Sequence, residues 1–293
     1  MNGFVIVDKE EGMTSFKASS ALRRIFAEKK TGHTGTLDPM ATGVLPVALG
    51  RATRFIELLP DSDKAYIARF RLGITSDTLD ITGSILSNTK ADFSLDEVQS
   101  AVACFTGDIM QTPPMYSALS VNGVRLYSLA RQGIEIERES RPVSIYSSEL
   151  KALETGEFEL SVRCSKGTYI RSLIADIGEK LGCGAVMTAL RRTASNGFSI
   201  AQAHTLSELE ALGENALLPV ESAFMRYPAV YVTSAQAKRF LNGGELASER
   251  VRGAAVGLMR VYSPDSVFIG LGELSAQDLS TVKVKKVMID DAR

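Results

Sequence analysis

Residues 32–50, GHTGTLDPMATGVLPVALG, constrain the fold more than any other stretch, because a glycine-punctuated loop runs directly into an apolar strand. Gly32, Gly35 and Gly43 open backbone shapes that other residues resist, and Pro39 fixes the turn after Asp38. Val44 to Leu49 reads as the buried strand behind that loop. One carboxylate, Asp38, is thus displayed on a rigid support, where reactive groups tend to sit. A plain Asp-Pro turn would account for the same residues, so the rest of the chain has to decide.

With 293 residues, 45% of them hydrophobic, the chain can bury a large core and divide into one large and one small domain. A net charge of -1 excludes a global attraction to polyanions, so a nucleic-acid partner needs a local basic face. Lys17, Arg23, Arg24, Lys29, Lys30, Arg51 and Arg54 supply one, or else a solvated helix surface. Cys104, Cys164 and Cys183 form no Cys-x-x-Cys pair and read as reduced thiols of a cytoplasmic protein. The start has no export-type segment, and no stretch reaches membrane-spanning length. With only His33 and His204, a zinc site is not expected.

Phe4 to Val7 reads as a strand, and Thr14 or Ser15 can cap a helix with Ala18, Ala21, Leu22 and Ile25 on one face. Lys64 to Leu72 alternates, with Tyr66, Ala68, Phe70 and Leu72 on one side. Ser94 and Glu97 form a capping box before another helix. Residues 111–142 lack steady periodicity and predict an exposed excursion. Phe158 to Cys164 alternates as a strand, and Ile170, Leu173, Ile174 and Ile177 mark a helix ending near Gly182. Arg171 falls in its first turn, where the helix dipole disfavours a cation unless an anion is near. A boundary is expected near Arg226 to Ala229, followed by a β-dominated unit whose Val282 to Val287 reads as an edge strand or a phosphate contact.

In this order the segments resemble the tRNA pseudouridine-55 synthases, the TruB family, across nearly the whole chain. Asp8 to Ser15 is similar to the family's opening motif, Gly32 to Pro46 to its catalytic loop and Lys64-Ala65-Tyr66 to its tyrosine strand. Ser165 to Leu173 resembles its arginine motif, Leu190 to Thr193 completes the set, and residues 229–293 are similar to its RNA-binding PUA-type domain. Five ordered motifs are specific where any one alone is weak.

The resemblance implies an α+β fold: a mixed, mainly antiparallel sheet with flanking helices and a central RNA-binding cleft in residues 1–228, with a gripping excursion at about 111–142, and a small β-rich PUA-like domain in 229–293. It implies that Asp38 is the catalytic nucleophile and Arg171 its ion-pair partner. Tyr66 would stack on the target base, Tyr169 and Leu190 would line the pocket, His33 would fill the gap left by the flipped base, and Lys9 would support the loop. The implied partner is the T arm of tRNA, with no DNA, membrane, cofactor or metal, and the protein acts as a cytoplasmic monomer. Glu10 stands where the family usually has proline, and Ser120 and Val124 where lysines are common.

The residue types suit the implied isomerisation. Uridine must lose its C1′–N1 bond, turn, and rejoin C1′ to C5, by attack of a carboxylate on C1′ or through a glycal. A guanidinium forked onto Asp38 would oppose the upward pKa shift that burial causes. Tyr66 and Leu190 could otherwise be core residues. Gly32 and His33 stand where an aspartyl-phosphate motif needs its Asp-Lys pair, and no Lys-Ser or Lys-Thr follows the glycines as in a phosphate-cradling loop. The alternative is a non-catalytic module that binds and folds tRNA through the same cleft.

Overall fold

A computed structural model describes residues 1–60, 63–121, 123–153 and 156–288. Residues 289–293 of the expected C-terminal unit, and Asn122 in the excursion, lie outside the described residues.

The strands are β1 (Gly3–Lys9), β2 (Thr31–His33), β3 (Thr42–Leu49), β4 (Lys64–Leu72), β5 (Ile74–Ser76), β6 (Ile85–Asn88), β7 (Gly107–Gln111), β8 (Ser120–Val121), β9 (Val124–Arg125), β10 (Arg141–Ala152), β11 (Phe158–Cys164), β12 (Ala185–Ser195), β13 (Phe198–Ser199), β14 (Ala229–Tyr231), β15 (Leu246–Ala247), β16 (Gly257–Tyr262), β17 (Phe268–Leu274) and β18 (Thr281–Val287). The helices are α1 (Ser15–Ile25), α2 (Leu95–Ala103), α3 (Leu126–Ala130), α4 (Ile170–Lys180), α5 (Leu206–Leu212) and α6 (Ser234–Leu241). Among the described residues, the large sheet runs β1-β3-β12-β4-β11-β10-β7, with β2 added to β3 and β13 to β12. Its pairings are antiparallel except where β12 meets β3 in parallel at Arg191–Thr42 and Arg192–Gly43. The expected mixed, mainly antiparallel sheet is therefore present.

β1 is apolar on both faces because Val5 and Val7 enter one apolar cluster and Phe4 and Ile6 another, and its outer edge is covered as well. Phe4 and Leu218 exchange two backbone hydrogen bonds of 2.8 Å, and His204 bonds Ile6 and Asp8. Gly43 is required where β3 meets β12. Its φ is +98°, and a Cβ there would lie 2.2 Å from the Arg192 carbonyl oxygen. Thr14 caps α1 by accepting from the Lys17 amide, and Ser94 with Glu97 closes the capping box of α2.

A second sheet, β14-β16-β17-β18-β15, follows residue 228. Its β18 is only partly an edge, since Thr281 and Val282 pair with β15. Tyr262, Phe268 and Leu271 of this sheet share one apolar cluster with Phe4, Ile6, Val44 and Phe55, and Phe55, in the segment after β3, touches Phe268 directly. Most of the excursion is exposed, as expected. Gln111, Ser117 and Leu126 are nevertheless buried, and its first residues pack onto the start of α4, where the Ser172 hydroxyl donates to the Thr112 carbonyl.

Candidate active site

Asp38 sits in the loop between β2 and β3, shaped from both sides. Ser15 Oγ donates to the Leu37 carbonyl at 3.1 Å and accepts from the Leu37 amide at 2.8 Å. Lys9, fully buried, donates to the carbonyls of Glu10 (2.8 Å), Met13 (2.7 Å) and Pro39 (3.2 Å). Burial brings the Lys9 pKa down to about 8, with Asp38 and Glu11 pulling the other way. The opening segment and the Asp38 loop are thus tied by one ammonium.

Arg171 approaches from the first turn of α4. Its Nε lies 2.9 Å from Asp38 Oδ2, the anion that its place on the helix calls for. The contact is single-pronged rather than forked. Nη1 donates to the Thr78 carbonyl at 2.8 Å and Nη2 to the Tyr116 carbonyl at 2.7 Å, so both terminal nitrogens are turned toward backbone. Asp80 Oδ2 stands 3.7 Å from Nη1 as a second acid. Desolvation raises the Asp38 pKa from 3.8; Arg171 opposes that shift and Asp80 adds to it. The guanidinium therefore offsets the effect of burial only in part. Asp38 keeps 36% of its side chain accessible, so it faces an open cavity rather than the core.

That cavity has a volume of about 290 Å³. Asp38, Tyr66, Tyr169, Arg171 and Leu190 all line it, as do Lys64 and Thr168. Tyr66 and Leu190 are buried yet border the cavity, so they are wall rather than core interior. Burial raises the Tyr66 and Tyr169 pKa values, which keeps both hydroxyls protonated. His33 and Lys9 are not in the cavity wall. His33 ends β2, with Nδ1 buried and unpartnered, and burial lowers its pKa, leaving a neutral imidazole.

Four residues escaped sequence reasoning as parts of the site. Asp80 looks like a turn residue and reaches Arg171 only because its backbone bridges to Met187 of β12. Gln111 brackets the Tyr169 backbone, accepting from its amide at 2.7 Å and donating to its carbonyl at 3.0 Å. Arg192 is fully buried and donates to the carbonyls of Val44 (2.7 Å), Gly35 (3.2 Å) and Thr36 (3.4 Å). Lys64 was visible only as part of a motif. Among the described residues, no cluster of three or more His, Cys, Asp or Glu could hold a metal, and no helix is long and apolar enough to cross a membrane.

Residues 23–170 match the TruB family pseudouridylate synthase N-terminal domain, 171–225 the tRNA pseudouridylate synthase B C-terminal domain, and 228–287 the pseudouridine synthase II TruB C-terminal domain. The chain belongs to the TruB family. It is 44% identical to the tRNA pseudouridine synthase B of Clostridium kluyveri over 93% of this chain and 95% of that relative. Its fold superposes on a chain of the crystal structure of a Cbf5-Nop10-Gar1 complex with a TM-score of 0.77 at 28% identity, covering 98% of this chain and 85% of that one. A chain of an H/ACA RNP bound to a substrate RNA containing 2′-deoxyuridine gives 0.75 at 27% identity, over 99% and 86%. This TruB-family chain is thus an isomerase of the pseudouridine synthase class.

Proposed function

We propose that this TruB-family enzyme converts uridine to pseudouridine at position 55, in the T arm of tRNA, acting as a cytoplasmic monomer without cofactor or metal. One observation carries the reading: a single carboxylate, Asp38, held at 2.9 Å by a buried arginine on the wall of a cavity large enough for one nucleoside. Residues 1–228 form the catalytic unit, and 229–293 a PUA-like unit that contributes RNA affinity.

The target base is folded into the arm and must be turned out at a cost of a few kcal/mol. Stacking on Tyr66 returns roughly 1 to 3 kcal/mol, while His33, neutral and outside the cavity wall, takes the vacated place in the loop. Tyr169 and Leu190 hold the uracil while it is detached. Asp38 then acts at C1′ or on the 2′ proton, the C1′–N1 bond breaks, and the ring rotates to bring C5 to C1′. The C5 proton leaves and N1 gains one, so atoms balance without an oxidant. Arg171 aims the carboxylate and opposes the upward pull of burial on its pKa, and Asp80 with the Thr78 and Tyr116 carbonyls holds Arg171.

Asp38→Asn tests the reading. Tritium on C5 of uridine in a T-arm hairpin is released by the reaction, so wild type should release it and Asp38→Asn should not, while both bind the hairpin. Tight binding by wild type without release would leave an RNA-folding module instead.

A further inference from the structure

The cavity has a second charged region, which carries no acid among the described residues. Lys64 opens β4 and lines the cavity two residues before Tyr66. Arg192 lies beside it. A Cβ built on Gly35 would sit 3.7 Å from Arg192 Nη1 and 3.8 Å from Lys64 Nζ, so the two cations converge on one glycine of the catalytic loop. The strongest charges acting on Asp38 are Arg171, Asp80 and Lys9, which leaves this pair outside the acid's own network.

Among the described residues, neither cation has a counter-ion. Arg192 spends its donors on backbone carbonyls and the Tyr66 hydroxyl. The groups acting on Lys64 are Arg192 and the Cys164 thiol, and burial pushes that thiol up to about 11, so it stays neutral. Burial and Arg192 together hold the Lys64 pKa at about 8. Two cations desolvated by burial, with no anion beside them among the described residues, are costly, and a ligand that brings the anion removes the cost. In RNA the negative charges lie on the phosphodiesters; a uracil carbonyl cannot balance two cations. Thr36, Gly167 and Thr168 border the same cavity and add hydroxyls and closely approachable backbone.

We propose that Lys64, backed by Arg192, forms a phosphate subsite for a phosphodiester adjoining the flipped uridine, fixing the nucleotide from its sugar-phosphate side while Asp38 addresses C1′. The inference rests on the isomerase reading above.

The test uses T-arm hairpins with one uncharged methylphosphonate linkage, placed either 5′ or 3′ of the target uridine, in single-turnover assays with the full-length protein. For wild type, one of the two neutral linkages should lower the apparent second-order rate by about tenfold or more. Lys64→Met should lose a similar factor on the ordinary hairpin and lose nothing further on the neutral one, and Lys64→Arg should keep most of the linkage sensitivity. Multiplying losses in Lys64→Met would overturn the subsite. So would wild-type indifference to both linkages, a result that needs no variant to fold. Failure of wild type on the unmodified hairpin would instead defeat the isomerase reading.

Discussion

Arg171 and Arg192 are both buried beside the cavity and both donate to backbone carbonyls, yet only Arg171 meets carboxylates. Arg192 bonds Val44, Gly35 and Thr36, residues of β3 and the loop that enters it, with the Tyr66 hydroxyl beside them, and so chiefly sets the shape of that one segment. Arg171 joins three segments distant in sequence: the Asp38 loop, the turn at Thr78 and the excursion at Tyr116. A buried guanidinium bonded to carbonyls makes shape. The same group shared between carbonyls and an acid makes a reactive centre whose geometry depends on several loops at once.

The largest effect that sharpens this contrast is on stability. Arg192→Met fills much the same volume but leaves the Val44, Gly35 and Thr36 carbonyls without their buried donor, so unfolding free energy should fall by about 3 kcal/mol. Denaturant midpoints measure it, and an unchanged midpoint would mean that Arg192 is not a brace. Next is Arg171→Lys. One ammonium cannot span Asp38, Thr78 and Tyr116 together, so kcat/KM should drop roughly a hundredfold although the charge remains. The midpoint should move less than for Arg192→Met. Full activity in Arg171→Lys would show that charge alone suffices.

How far the sequence shows these two regions follows from the range of the contacts. Strands β4 and β11, the capped helices and the C-terminal β unit are local patterns, and Asp38, Tyr66 and Arg171 each sit in a motif readable along the chain. The direction of the Arg171 donors is not local. A forked contact was expected, but only Nε meets Asp38 while the terminal nitrogens donate to the Thr78 and Tyr116 carbonyls, 93 and 55 positions away. Asp80 was missed for the same reason, since its turn chemistry with Thr78 and Thr82 hides its approach to Arg171. Gln111 reads as the last residue of a strand, and nothing near it in sequence announces that its amide pairs with the Tyr169 backbone 58 positions on. Periodicity could not show which residues of the excursion are buried either, because its start is covered by packing against α4 rather than by a repeating face.

The smallest effect separates aim from stability at Asp38 itself. Desolvation and Asp80 raise its folded-state pKa above 3.8 in spite of Arg171. For a group raised on folding, the stabilising share is fully present below the unfolded value and is lost as pH climbs through the folded one. Ionised Asp38 is therefore a modest liability at neutral pH, and Asp38→Asn, which stands in for the neutral form, should unfold at a slightly higher temperature than wild type at pH 7 while losing turnover. The gain should shrink as pH falls toward 3.8, where wild-type Asp38 is protonated as well. Thermal melts of both proteins across that range decide the matter. A lower midpoint for Asp38→Asn at pH 7 would mean that the Arg171 contact outweighs desolvation, and that Asp38, like Arg192, serves the fold as well as the reaction.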